Sequence, residues 1–293
     1  MKKGLPRKLN DAINSKKTLV LDGAIGDALI KKLPPPQFSS LWASSYNLTH
    51  EADVVELHRS YVKAGADILT TNTFRTNYHA YKQGNYQFSY PDLVYRSVGL
   101  AIDAARASDV IIAGSNGPAE DCYKEEVTLS DSELEENHFN HINLLVDAGC
   151  DIILNETLSH FKEIEIISRI CKSEGIPFVL SLYCKPDLHL LSGEHILWAL
   201  DAVSKFNPLA VSVNCISIET AKELFEIYTP QHNWGIYPNC GTSNPDSGII
   251  NSVISPSEYY SEMEQFKAKQ PLFIGGCCGS TDKHIRLLKT DGK

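Results

Sequence analysis

The chain has 293 residues, 43% of them hydrophobic and 22% charged, with a formal net charge of −9, which describes an ordinary soluble globular protein. No apolar stretch approaches the ~20 residues that cross a bilayer, and an acidic chain without a Lys/Arg stripe argues against nucleic acid or anionic membranes as partners. Eight cysteines without a secretory signal behind the basic start, Met1-Lys2-Lys3-Gly4, fit a reducing cytoplasm better than a disulfide framework.

In chain order, short apolar runs alternate with longer amphipathic ones. The first run, 18–21, ends at Asp22-Gly23-Ala24-Ile25-Gly26-Asp27, a turn that lacks the G-x-G-x-x-G spacing of a dinucleotide loop. Further runs at 67–70, 110–113, 151–154, 178–182, 209–213, 234–237 and 272–274 read as strands. Their near-continuous apolar character suits a parallel sheet covered on both faces.

Helical periodicity covers 51–64, 93–107, 131–148, 161–174, 194–206, 219–228, 257–268 and 282–288. Ser-Asp-Ser-Glu at 130–133 and Pro256-Ser257-Glu258 read as helix starts. Gly65 and Gly149 read as stops. Eight β/α units without a linker predict an α/β fold, a single (β/α)8 TIM barrel forming one domain over 1–293.

In such a barrel the chemistry gathers at the C-terminal ends of the strands. Here those ends carry Asp22-Gly23, Thr71-Asn72-Thr73-Phe74-Arg75, Gly114-Ser115-Asn116, Asn155-Glu156-Thr157, Tyr183-Cys184, Asn214-Cys215, Pro238-Asn239-Cys240 and Gly275-Gly276-Cys277-Cys278-Gly279. Cys215, Cys277 and Cys278 at two strand ends predict a three-sulfur metal site. Zinc suits thiolate ligands, and three protein ligands leave a fourth position open, as catalytic zinc requires.

Asp22 reads either as a helix cap or as a site carboxylate, and Arg75 either as a surface residue or as an anion contact. Glu156 has no helix partner and reads as a site residue. His58 and Tyr61 read as structural. Cys122, Cys150, Cys171 and Cys184 read as small core or surface residues.

These strand ends, together with Leu41-Trp42-Ala43, His58-x-x-Tyr61-x-x-Ala64-Gly65-Ala66-Asp67 and Leu191-Ser192-Gly193-Glu194, resemble the homocysteine S-methyltransferase family over nearly the whole chain. That group includes S-methylmethionine- and S-adenosylmethionine-using enzymes, the betaine-dependent enzyme and the homocysteine domain of methionine synthase. The resemblance implies Zn2+ on Cys215, Cys277 and Cys278, which are also the catalytic residues. It implies that Asp22 and Gly23 hold the amino acid end of homocysteine and that Glu156 receives its ammonium. Asn239 matches an asparagine that fills the zinc's open position in some relatives.

The expected reaction is transfer of a methyl group from a cationic donor to the homocysteine thiol. Phe74, Tyr78, Tyr123 and Tyr237 are the aromatic candidates for meeting that cation. The compact length favours S-methylmethionine over S-adenosylmethionine. Arg75-Thr76-Asn77 and Cys240-Gly241-Thr242-Ser243 depart from the family pattern where a donor could bind. Competing expectations are another small thiol or selenol as acceptor, a non-catalytic zinc-binding barrel, and a metal-free hydrolase using Asp22 and Glu156.

Overall fold

The computed structural model describes residues 4–243 and 250–290, so Met1-Lys2-Lys3 of the basic start lies outside the described residues. The strands are β1 (Leu19–Val20), β2 (Ile68–Thr70), β3 (Ile111–Asn116), β4 (Ile152–Leu158), β5 (Phe178–Leu182), β6 (Ala210–Asn214), β7 (Trp234–Tyr237), β8 (Gly241–Ser243), β9 (Ile250–Val253) and β10 (Phe273–Ile274). All but β8 and β9, a separate antiparallel pair, form one parallel sheet. In that sheet β10 pairs with β1 through Leu19–Phe273 and Val20–Ile274, and a bridge between Leu21 and Ile68 closes the ring. This is the expected (β/α)8 barrel.

Alternation along the strands makes two apolar layers. Ile111, Ile152, Val179, Ala210 and Phe273 fill the barrel, while Ile112, Ile153, Leu180, Val211 and Ile274 lie under the helices. Both faces are therefore covered, which is why the runs read as continuously apolar.

The helices are α1 (Arg7–Ser15), α2 (Gly26–Lys32), α3 (Tyr46–Thr49), α4 (Glu51–Ala64), α5 (Tyr78–Lys82), α6 (Tyr90–Ala105), α7 (Asp131–Asp147), α8 (Phe161–Glu174), α9 (Ile196–Ala202), α10 (Ile218–Ile227), α11 (Pro256–Lys267) and α12 (Asp282–Thr290). Leu9 and Ala12 of α1 join the interior cluster, so this helix closes the end opposite the mouth.

Ser130 caps α7 and Ser255 caps α11, with Glu133 and Glu258 completing reciprocal capping boxes. Gly65 (φ 98) and Gly149 (φ 107) stop their helices in left-handed backbone, where a Cβ is strained. The expected helix over 194–206 divides. His195 caps it by accepting the Leu197 N–H at 3.3 Å, and its end tightens into a 3-10 turn, Val203–Phe206. Among the described residues no helix is long and apolar enough to cross a membrane.

Candidate active site

The mouth is built from strand exits that the sequence leaves polar. Asp22 follows β1 and is 2% exposed. It caps no helix. Its carboxylate instead accepts the Thr70 N–H at 2.8 Å and the Thr70 hydroxyl at 3.0 Å. Burial raises its pKa well above the usual carboxylate range, and the Thr70 donors oppose that rise. Gly23 admits no side chain, because a Cβ there would lie 2.7 Å from Ser280 Oγ and 2.8 Å from Tyr61 Cε1. Tyr61 is fixed by donating its hydroxyl to the Ala24 carbonyl at 2.7 Å, a structural role as expected.

Glu156 sits where the β4–β5 register slips between Asn155 and Leu158. Thr157 there takes φ 59, and a bulge of this kind re-aims a side chain at a strand end. Ser115 donates its hydroxyl to Glu156 Oε1, and Tyr237 donates its own to Oε2 at 3.1 Å. Burial pushes Glu156 up to about 7, against the pull of these two donors.

Cys215 follows β6 directly, in left-handed backbone at φ 56. Asn214 Nδ2 lies 3.4 Å from its sulfur, and Thr157 donates its hydroxyl to the same sulfur at 3.7 Å. Cys277 and Cys278 leave β10 through Gly275-Gly276. The Cys277 N–H donates to the Pro238 carbonyl and the Cys240 N–H to the Cys278 carbonyl, each at 2.9 Å, which ties the β10 exit to the β7 exit.

The sulfurs of Cys215, Cys277 and Cys278 lie within 4.8 Å of one another and can hold one metal ion. Hydrogen bonds from the Cys277 and Cys278 thiols lower the pKa of Cys215 below the ordinary thiol range, against the opposing effect of burial. Their S–H groups are correspondingly raised well above the thiol range.

One cavity of about 490 Å³ joins these groups, with Asp22, Gly23, Glu156, Cys215, Cys277 and Cys278 all on its wall. Asn239 lies behind the wall, donating its side-chain amide to the Cys215 carbonyl at 2.9 Å, and its buried Oδ1 has no hydrogen-bond partner among the described residues. Phe74, Tyr123 and Tyr237 line the cavity. Tyr78 does not, because it packs on Tyr90 at 5.1 Å between ring centroids.

Cys184 and Cys240 are buried outside the cluster, whereas Cys122 reaches the cavity wall. Ser115 and Asn214 fall among the polar strand ends read from the sequence, though without a role there, whereas Thr70 was read only as part of a strand. A hydroxyl or amide on an apolar strand was the available signal, because a buried polar group needs a partner.

A closed barrel with its polar strand ends around one cavity is the architecture of a (β/α)8 enzyme. The sequence matches the model of the family described as Homocysteine S-methyltransferase over residues 19–291. A homocysteine S-methyltransferase of Bacillus subtilis (strain 168), YbgG, is 24% identical, covering 92% of this chain and 93% of its own. The homocysteine S-methyltransferase of Escherichia coli (strain K12) is also 24% identical, over 96% and 97%. The crystal structure of the E. coli homocysteine methyltransferase MmuM in its metallated form has the same fold, with a TM-score of 0.79 at 23% identity over 97% of this chain and 99% of that one. The chain belongs to the homocysteine S-methyltransferase family and is a methyltransferase.

Proposed function

We propose that this protein transfers a methyl group from S-methylmethionine, with S-adenosylmethionine as the poorer donor, to the thiol of homocysteine, giving methionine. The observation that carries this reading is the meeting of the Cys215, Cys277 and Cys278 sulfurs within 4.8 Å on the same cavity as Asp22 and Glu156. Family membership supports the acceptor.

Zinc fits the donor set. Three clustered cysteine sulfurs suit a tetrahedral thiolate-binding ion and leave one position for a substrate atom. Asn239, anchored to the Cys215 carbonyl and with an Oδ1 that has no partner among the described residues, is a candidate further oxygen donor. When bound, zinc supplies the positive charge that keeps a substrate thiol ionised at neutral pH.

The chain's own residues bind and orient. Asp22 and Gly23 receive the amino acid end of homocysteine, and Glu156 accepts its ammonium. Ser115 and Tyr237 aim the Glu156 carboxylate and favour its ionised form. The Thr157 and Asn214 contacts hold the Cys215 side chain at the strand end. In the transfer, the acceptor sulfur forms a bond to the methyl carbon while the bond from that carbon to the donor's cationic sulfur breaks. The electron pair stays on the departing sulfur, which leaves as a neutral thioether. The thiol proton has already gone to solvent, so the step needs positioning and no general base.

The reading extends to one domain over 1–293 and to a cytoplasmic setting, where eight thiols stay reduced. Reduced, zinc-supplemented protein given homocysteine and either donor is expected to form methionine. No methionine from any sulfonium donor would overturn the proposal.

A further inference from the structure

The cavity wall carries a charge that nothing in the acceptor's binding uses. Arg75 lies on its wall, half-buried, at the exit of β2. Its Nη1 donates to the Glu120 carbonyl at 2.6 Å, which uses one of five guanidinium N–H donors. Among the described residues no carboxylate forms an ion pair with Arg75 within 4.0 Å, and Asp121 and Glu120 act on it only through longer-range charge. A guanidinium withdrawn from bulk water without a bonded anion is costly, and a planar fork of this kind matches a carboxylate.

The neighbours on the same wall complete a receptor. Trp42 is 39% exposed and holds φ 46, ψ −133, a backbone conformation rare for any residue but glycine. Its ring lies so close over Gly26 that a Cβ there would meet Trp42 Cζ3 at 2.3 Å. Its centroid is 6.3 Å from that of Phe74. Strain of this kind persists where the surroundings enforce it and clusters at ligand sites. Tyr123 stands on the loop after β3 and is also exposed to the cavity. Asp121, two residues before it, accepts the Tyr123 N–H on Oδ1 at 3.0 Å.

We propose that Arg75 binds the carboxylate of the methyl donor, so that this stretch of the cavity wall selects donors of amino-acid type. Trp42, Phe74 and Tyr123 offer aromatic faces to the sulfonium, and Asp121 offers a carboxylate to the donor's ammonium. Arg75 is then a specificity-determining residue. This rests on the methyl-transfer reading above, and its test is arranged to separate the two.

Wild-type, Arg75→Gln and Arg75→Lys proteins are compared with homocysteine and two donors, S-methylmethionine and trimethylsulfonium, which has no carboxylate. Calorimetric binding of S-methylmethionine is measured alongside. In Arg75→Gln, KM for S-methylmethionine is expected to rise about tenfold or more, the scale of a lost charge-assisted pair. Its kcat, the homocysteine KM and the trimethylsulfonium KM stay within about twofold, and Arg75→Lys recovers part of the loss. Equal effects on both donors, no effect on either, or a rise in homocysteine KM instead overturns the proposal. If no protein turns over, calorimetry decides. S-methylmethionine binding that depends on Arg75 keeps this inference while the methyl-transfer reading fails. Binding that is absent, or the same in all three proteins, sinks it.

Discussion

Tyr237 and Glu156, 81 residues apart in the chain, meet across the barrel mouth with the phenol donating to Glu156 Oε2 at 3.1 Å. That bond, with the one from Ser115, favours a carboxylate that burial would otherwise keep protonated. The balance lies near neutrality, at about 7. Below that pH the neutral acid is a poor partner for an ammonium group. The kcat/KM for homocysteine is therefore expected to rise as pH climbs through about 7 and to level off above it. Tyr237→Phe removes one donor, so the rise moves to higher pH and homocysteine KM increases roughly tenfold. Glu156→Gln removes the charge and this limb of the profile with it. A pH series of initial rates on the three proteins checks the order.

Metal content is the second expectation. Reduced wild-type protein supplemented with zinc is expected to carry about one ion per chain, and Cys277→Ala/Cys278→Ala almost none. Elemental analysis after gel filtration measures both. Comparable zinc in the two would move the metal away from this cluster.

Substitution at Gly23 tests the closeness of the acceptor turn. An alanine Cβ would crowd Ser280 Oγ and Tyr61 Cε1, both buried. Relief requires moving either the Asp22 turn or the Tyr61 ring. Gly23→Ala is expected to cost about 1–3 kcal/mol in stability and to raise homocysteine KM. Chemical denaturation and steady-state kinetics read the two effects separately.

A buried pair behind the mouth gives a fourth expectation. Glu163 Oε1 accepts the Ala119 N–H at 2.8 Å and meets His138 Nε2 at 2.8 Å, both deep in the protein. Glu163→Ala strands those partners, a loss of about 2–4 kcal/mol. It also loosens the start of the loop that carries Cys122 and Tyr123. Amide exchange over 117–130 should quicken more than exchange over β5 to β6.

Acid sensitivity supplies a fifth. His58 is fully buried, neither ring nitrogen has a partner among the described residues, and burial lowers it from 6.5 to about 4. Above 6.5 the ring is neutral whether folded or not, and it contributes nothing to pH dependence. As pH falls from 6.5 toward 4, the unfolded chain takes up a proton that the folded one refuses, and stability is lost, roughly 2 kcal/mol of it by about pH 5. His141, lowered to about 3 chiefly by burial, acts in the same direction. His58→Leu is expected to lose less stability than wild type between about pH 7.5 and pH 5 when denaturation midpoints are compared. Equal losses would remove His58 as a source.

The barrel strands and their helices were legible because burial on both faces leaves a continuous apolar run that periodicity detects. The helices α1, α2, α3 and α5 were not, because each is short and takes its stability from contacts distant in sequence. Leu9, for example, is explained by strands that lie far along the chain. The pair β8–β9 is likewise invisible in a segment without alternation. The three cysteines stood out because unusual residues at strand ends need a reason. The roles of Thr70 and Ser115 were not readable, since a hydroxyl on a strand takes its meaning only when a carboxylate from another strand arrives. Cys122 read as unremarkable because the fold of its loop, not its local pattern, brings it to the cavity.

Pairing of the first strand with the last, Leu19 with Phe273 and Val20 with Ile274, also sets a schedule for biosynthesis. Cys215 is translated long before Cys277 and Cys278, and Asp22 waits longest of all for its surroundings to form. A growing chain therefore exposes at most one of the three sulfurs until residues 277 and 278 have emerged. The three-sulfur centre comes into being only when the ring closes.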